Sequence, residues 1–406
     1  MLTLDTFKAA RSVLQGVLHP TPLIHSPYLS RLCGNNVYLK PENMQVTGAY
    51  KIRGAYYKIS TLSDEEKARG LVTASAGNHA QGVAYAAQAA GVPATIVMPT
   101  TTPLVKVNNT KDYGANVVLH GEVFDDAAEL AAQLSQDQGL TYVHPFNDLT
   151  LATGQGTIAY EIFQDLPDVD TILTPVGGGG LIAGISTLSK ILNPHVEVIG
   201  VEPTGAASMK ASLEAGQVVT LPSASTIADG VAVKTPGDKI FPYVQQNVDR
   251  ILALEDTELV EAFLDIMERH KMVVENAGLL TVAALRHLKP EGKNIVCVLS
   301  GGNMDVITMA SLVKHGLIGR GRIFTFAVQL PDRPGALLRV AEIIARNEGN
   351  VIKLEHNQFV NINRNSGVEL RVTLEAFGHE HKQQILTALR KAGLDAVVTD
   401  TNNIYD

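Results

Sequence analysis

The stretch LVTASAGNHAQGVAYAAQAAGVPATIVMP, residues 71–99, decides the fold. It passes from a short apolar strand, LVTASA, through the Ala-rich segment HAQGVAYAAQAAG into a second β-branched run, ATIVMP. Strand, helix and strand in that order predict a βαβ unit, whose parallel strands need a helical crossover. The same rhythm continues in LVKVNNTKDYG, NVVLH and DDAAELAAQLSQDQG. It resumes in DTILTPV before LIAGISTLSKIL, in VEVIGVEP before AASMKASLEAG, and in NIVCVLS after TVAALRHLKPEGK. An α/β region with a mostly parallel sheet is expected to about Leu317. Gly91, Gly114, Gly139 and Gly216 close the predicted helices, as a left-handed C-terminal cap favours.

Near LIGRGR, residues 317–322, the rhythm changes. The tail reads strand IFTFAVQL, loop PDRPG, helix ALLRVAEIIARNEG, strands NVIKLEHNQF and GVELRVTLEAF, helix HEHKQQILTALRKAG and strand DAVVTD. That βαββαβ order predicts an α+β ferredoxin-like sandwich as a second domain over 323–406. No repeat of 20–50 residues and no low-complexity segment interrupts either part.

Composition agrees with two folding units: 406 residues are 45% hydrophobic and 18% charged, and a single core seldom serves so long a chain. The net charge is −8, most of it in the first 322 residues. With no dense Lys/Arg run, the footprint of a nucleic-acid or anionic-membrane partner is missing. No apolar run approaches the ~18 residues of a membrane span. The N-terminus MLTLDTFKAARSVLQGV carries Asp5, Lys8 and Arg11 where a signal peptide needs an apolar stretch, so a cytoplasmic protein is expected. Two cysteines, Cys33 and Cys297, are too few for a disulfide framework, and Cys297 in NIVCVL reads as a buried inert thiol.

Four segments carry chemistry. In KPENMQVTGAYKIRGAYYKI, Lys51 follows Tyr50; composition alone would make it a solvated surface charge. SAGNHAQG, residues 75–82, joins a strand to a helix, with Ser75 and Asn78 as candidate caps and free N–H groups suited to an anion. An ordinary helix cap is the plain alternative. PVGGGGLIAG, residues 175–184, also lies between strand and helix, and its four glycines let the backbone wrap a phosphate. A flexible linker seldom occupies such a place. Gly178-x-Gly180-x-x-Ala183, with Glu202 beyond it, also matches a relaxed dinucleotide fingerprint, whereas no Walker pattern follows. In VLSGGNMD, residues 298–305, a strand delivers Ser300 to a Gly-Gly-Asn turn.

Together these segments resemble the threonine and serine dehydratases among the fold type II, tryptophan-synthase-β-like pyridoxal-phosphate enzymes. The resemblance covers nearly all of the first 320 residues. It implies a two-lobed catalytic domain over 1–320, with a small lobe at about 48–150 inserted into a larger one. The family's S-F-K-x-R-G motif corresponds to Ala49-Tyr50-Lys51-Ile52-Arg53-Gly54, which makes Lys51 the cofactor's Schiff-base lysine and the catalytic base. Tyr50 retains an aromatic ring beside the cofactor, while Ala49 loses a hydroxyl. By the same resemblance Asn78 bonds the cofactor's phenolate oxygen, Gly177, Gly178, Gly179, Gly180 and Leu181 hold its phosphate, and Ser300 faces its pyridine nitrogen. The substrate carboxylate would sit on the amides of Ser75, Ala76, Gly77, Asn78 and His79, with His79 positional and not the general base.

The implied reaction is dehydration and deamination of L-threonine to 2-oxobutanoate and ammonia, with serine to pyruvate as a side activity. One methyl separates these substrates and is worth only ~1–3 kcal/mol of discrimination. Related serine racemases have a serine where this chain has Ala76, which disfavours two-base racemisation. The cation site of some relatives maps to Glu202, Ala206 and Ser208. With Ser208 in place of an aspartate, a tight divalent site is disfavoured and a weaker or monovalent ion is left open.

The tail resembles an ACT domain, an amino-acid-sensing module, through VQLPDRPGALLRVAEII and GNVIKLEH. Its turn Asp332, Arg333, Pro334, Gly335 would offer backbone groups to an amino-acid or nucleotide effector across a homo-oligomer, dimer or tetramer. A sandwich serving oligomerisation alone is the plainer reading. Isoleucine biosynthesis and threonine catabolism both fit the pattern. The rivals are a serine dehydratase or serine racemase-like enzyme, a β-replacement synthase, a nicotinamide-dependent oxidoreductase and a non-catalytic amino-acid sensor.

Overall fold

The computed structural model describes residues 1–357 and 367–401. The chain divides into two compact units, Met1–Val306 and Ile307–Asp406. This division falls earlier than the turn expected at 320–323. The helix Val306–Gly319 goes with the second unit because its end is tied there: His379 Nε2 bonds the Gly319 carbonyl at 2.9 Å.

The first unit holds two sheets. In the larger, strands run in the order Ile24–His25, Asn36–Lys40, Asn294–Val298, Thr171–Pro175, Glu197–Pro203 and Arg250–Leu254, parallel except for the first pair. In the smaller, Asn116–Leu119, Ala94–Met98, Leu71–Ala74 and Thr141–Tyr142 are all parallel. Every residue of Leu71–Ala74 is buried, as a strand covered on both faces requires. In sequence the smaller sheet lies between Asn36–Lys40 and Thr171–Pro175, neighbours but one in the larger sheet. Gly91, Gly139 and Gly216 take the expected left-handed cap conformation, and Gly114 has φ 77° one residue beyond its cap.

One helix, Leu149–Asp165, stands between the elements that bear the chemistry. Asp148 starts it by accepting from the amides of Thr150 at 2.7 Å and Leu151 at 3.3 Å. On one side it meets the helix Lys51–Ser60, where a Cβ placed on Gly154 would lie 2.4 Å from the carbonyl oxygen of Arg53. On the other it meets the helix Gly180–Leu192, where a Cβ on Gly184 would lie 2.2 Å from the Ala152 oxygen. Only hydrogen side chains permit backbones this close.

A buried ion network sits beside the first crossing. Arg53 Nε and Nη2 reach the two oxygens of Glu42 at 2.7 and 2.8 Å. Its Nη1 and Nη2 reach those of Glu161 at 2.6 and 2.8 Å. Lys40 bonds Glu161 and Thr21. Burial alone would raise the Glu42 carboxyl, but Arg53 and Lys40 outweigh it and hold it at about 2.

In the second unit the strands lie in the order Asn350–Asn357, Val368–Glu375, Ile323–Leu330 and Val397–Thr399, with every neighbour antiparallel. Along Ile323–Leu330 the alternate residues Phe324, Phe326, Val328 and Leu330 are buried. They meet Val340 and Ile344 of helix Ala336–Arg346 and Ile385, Leu386 and Leu389 of helix His379–Lys391. This is the ferredoxin-like order read from the tail. No helix among the described residues is long and apolar enough to cross a membrane.

Candidate active site

Lys51 opens its helix at a seam with the larger sheet. The Tyr50 amide donates to the Ser300 carbonyl at 3.0 Å and the Gly302 amide to that of Gly48 at 2.9 Å. Ala49 and Gly301 pair as an antiparallel bridge. The lysine is thereby anchored where the strand Asn294–Val298 ends. Its Nζ donates to the Pro145 carbonyl at 2.7 Å and stands 5.4 Å from the centre of the Tyr50 ring. Burial lowers the amine to about 8, against a smaller opposing pull from Glu275. Burial and Glu275 both raise the Tyr50 phenol.

At Ser75 to His79 the structure departs from simple capping. Gly77, not Ser75 or Asn78, is the N-cap of helix Asn78–Ala90, and no side chain caps it. Ser75 Oγ accepts from the Gly77 amide at 3.3 Å. Among the described residues, the N–H groups of Ala76, Asn78, His79 and Ala80 have no acceptor. A helix N-terminus left open in this way suits a carboxylate. His79 is buried; its Nε2 bonds the Val143 carbonyl at 3.1 Å, and burial with the nearby Lys51 pushes the ring down to about 3. It is therefore a neutral ring, consistent with a positional role.

The four glycines lie between Thr171–Pro175 and Gly180–Leu192, and each is closely packed. A Cβ on Gly177 would meet the Val231 backbone at 3.0 Å. One on Gly178 would meet the Phe146 ring at 2.1 Å, and one on Gly179, φ 95°, the Met209 side chain at 2.4 Å. One on Gly180 would lie 2.9 Å from the Phe146 oxygen. Among the described residues, the N–H groups of Gly177 to Ile182 have no acceptor. A row of unpaired amides at the start of a helix, packed too tightly to be a linker, fits a phosphate. With the low-pKa amine of Lys51 in the same unit, these residues fit the expected pyridoxal phosphate. Ser300 is buried at the seam beside Lys51.

Several residues around the site escaped the sequence reading. Glu275 is buried and accepts from Asn78 Nδ2 at 2.7 Å; burial and Asp229 push it up to about 7 against Asn78, Lys106 and Lys51. Asn303 Nδ2 donates to Asn78 Oδ1 and to the Thr47 carbonyl, each at 2.8 Å. His144 Nδ1 accepts from the amides of Phe146 and Asn147 at 3.2 and 2.9 Å, and burial with Lys51 lowers its ring to about 4. A signal existed for Glu275: VVENAGLL sets one carboxylate in an apolar run.

Glu202 is wholly buried, and its two oxygens accept from the amides of Met209 and Lys210, both at 2.9 Å. Burial raises it to about 7. It caps the helix Ser208–Ala215, so a cation would compete with two amides for the same oxygens. Buried and bonded to two amides, Glu202 presents no exposed oxygen to the ribose that a nicotinamide dinucleotide would bring. Ser208 Oγ is buried without a partner, and Ala206 closes the preceding turn. Among the described residues no group of three His, Cys, Asp or Glu could hold a metal. Asp332, Arg333, Pro334 and Gly335 form an exposed turn, with Gly335 at φ 89° capping helix Ala336–Arg346.

A family model described as pyridoxal-phosphate dependent enzyme matches residues 14–301. An L-threonine ammonia-lyase of Thermotoga maritima is 44% identical over 97% of this chain and 99% of its own length. A processed threonine deaminase isoform of Solanum lycopersicum superposes with TM-score 0.72 at 40% identity, covering 77% of this chain and 86% of the other. A maize serine racemase superposes with TM-score 0.72 at 34% identity, covering 78% and 98%.

Proposed function

The chain belongs to the family of pyridoxal-phosphate-dependent enzymes, and from that membership we infer that it is a threonine ammonia-lyase, converting L-threonine to 2-oxobutanoate and ammonia. The observation that carries this reading is the near-complete match to the Thermotoga maritima L-threonine ammonia-lyase, 44% identical over 97% of the chain.

Lys51, Asn78, Ser300 and the amides of Gly177 to Leu181 are the residues that would hold pyridoxal phosphate. When bound, the cofactor supplies an aldehyde that captures amines and a ring that draws electron density from the substrate Cα. The rest falls to the chain. The open amides of Ala76, Asn78 and His79 orient the substrate carboxylate. Lys51 Nζ takes the Cα proton, which an amine brought down to about 8 can do near neutral pH. The β-hydroxyl then leaves as water, with the proton balance closed by the one removed from Cα, and the released enamine becomes an imine whose hydrolysis consumes a water and gives 2-oxobutanoate and ammonia. Ser300 offers a hydroxyl and no carboxylate to the pyridine nitrogen, which favours elimination over a long-lived carbanion. Ala76 supplies no hydroxyl, so one base serves one face and racemisation lacks its second acid.

In this reading the C-terminal unit is an ACT-type regulatory domain. Its turn Asp332 to Gly335 receives an amino-acid or nucleotide effector in a cytoplasmic homo-oligomer.

Turnover of threonine with and without isoleucine, valine, AMP and ADP tests both parts. Expected are 2-oxobutanoate and ammonia, visible cofactor absorption that is lost in Lys51→Ala, and an effector response that is lost on truncation after Arg320. Interconversion of L- and D-serine outpacing elimination, or binding of a nicotinamide dinucleotide without uptake of pyridoxal phosphate, overturns the catalytic reading. Effector responses that survive the truncation overturn the regulatory one.

A further inference from the structure

We propose that Asn303 and Glu275 are positioning residues that hold the side-chain amide of Asn78 in one orientation, with one N–H left over for the cofactor's ring oxygen. The proposal rests on the pyridoxal-phosphate reading of the site. Its logic starts from a backbone carbonyl. The Thr47 oxygen can only accept, so the edge of Asn303 facing it at 2.8 Å must be the NH2 group. The same nitrogen donates to Asn78 Oδ1 at 2.8 Å, which spends both its hydrogens. Asn78 therefore turns its oxygen towards Asn303 and its nitrogen towards Glu275, whose Oε1 accepts at 2.7 Å. One hydrogen of Asn78 Nδ2 is unspent.

The opposite orientation is penalised at both ends. Flipped, Asn78 would set NH2 against NH2 at Asn303 and carbonyl oxygen against carboxyl at Glu275. The side chains also lie close against glycine backbone. A Cβ on Gly48 would lie 2.5 Å from Asn303 Oδ1, and one on Gly301 would lie 2.4 Å from Glu275 Oε1 and 2.9 Å from Asn78 Nδ2. The orientation thus passes from Thr47 through Asn303 to Asn78, and Glu275 closes the far side.

Asn303→Asp tests this because it keeps the shape and removes the donor. Its carboxylate would face two acceptors, and Asn78 would turn over to satisfy it. The measurement is the affinity of the cofactor-stripped full-length protein for pyridoxal phosphate, in wild type, N303D, N78A and the double variant. N303D is expected to weaken binding about tenfold, the size of one mispaired buried hydrogen bond. In the N78A background it is expected to add nothing, because both act through one amide. Glu275→Gln can still present an oxygen to Asn78 and should lose less than N303D. If N303D does not fold by thermal unfolding, Asn303→Ala removes the donor without adding charge and is read in the same way. Affinity equal to wild type, or an equal loss in the N78A background, overturns the proposal. Hydrogen exchange of the Asn78 side-chain amide in cofactor-free protein separates this proposal from the functional reading. Slow exchange in wild type that quickens in N303D supports the clamp even if threonine is not turned over, and equal exchange in the two proteins sinks it.

Discussion

Arg53, two residues downstream of Lys51, meets Glu161 end-on, Nη1 to Oε1 at 2.6 Å and Nη2 to Oε2 at 2.8 Å. Glu161→Ala leaves Arg53 and Lys40 in the interior with only Glu42 between them. Glu161 is one-third exposed and Arg53 keeps both bonds to Glu42, so the loss is expected at about 1–3 kcal/mol, below the cost of breaking a fully buried pair. Urea unfolding of the variant should show a loss of that size, and a change below about 1 kcal/mol would mean the pair acts like an exposed one.

Lys51 should set the pH dependence of cofactor loading. With Lys51 as the proposed cofactor lysine, its neutral amine is the nucleophile, so uptake of pyridoxal phosphate by the stripped protein is expected to speed up with pH and level off above about 8. Because the folded amine titrates below its ordinary 10.5, the unfolded chain binds the extra proton between those values. Stability should therefore rise with pH across that window. A rate still climbing towards pH 10 would place the amine in solvent.

His79 predicts the acid side. Its ring sits at about 3 in the folded chain against an ordinary 6.5, so the unfolded state takes up the proton first as pH falls. Its share of stability is complete above 6.5 and is lost progressively towards 3. Chemical unfolding of wild type and His79→Gln between pH 4 and 7 should give a shallower slope in the variant. Parallel slopes would mean that His79 protonates in the folded protein.

Gly178→Ala and Gly184→Ala should fail in different ways. The first drives a methyl into the Phe146 ring, a side chain that can shift, at the loop expected to hold phosphate. Cofactor affinity should fall about tenfold, roughly 1.4 kcal/mol, with little change in melting. The second drives a methyl into the Ala152 carbonyl between two buried helices. Overpacking there should cost about 1–3 kcal/mol of stability. Equal melting temperatures for the two variants would contradict the distinction.

What was legible in the sequence were the segments whose chemistry is local. Ser75 to His79 and Gly177 to Gly180 sit where a strand hands over to a helix, and strand and helix patterns show in a few residues. The βαββαβ tail was legible for the same reason. Less visible were the partners that the fold brings from afar. Asn78 finds Glu275 across 197 residues and Asn303 across 225, and no short-range pattern encodes either meeting. Ser75 and Asn78 looked like caps because their types favour that role, yet tertiary bonds claim Asn78 and leave Gly77 to start the helix. Helix Val306–Gly319 continues the apolar character of the first unit in sequence, while the Gly319–His379 bond ties its end into the second.

The glycine crossings on helix Leu149–Asp165 have a metrological consequence. Gly154 touches the helix that Lys51 begins, and Gly156 meets Gly184 in the helix that follows the four-glycine turn. The span from the amine to the turn is thus gauged through main-chain contacts, which no rotamer change can lengthen. In the proposed reading, that spacing suits a ligand of fixed length between aldehyde and phosphate.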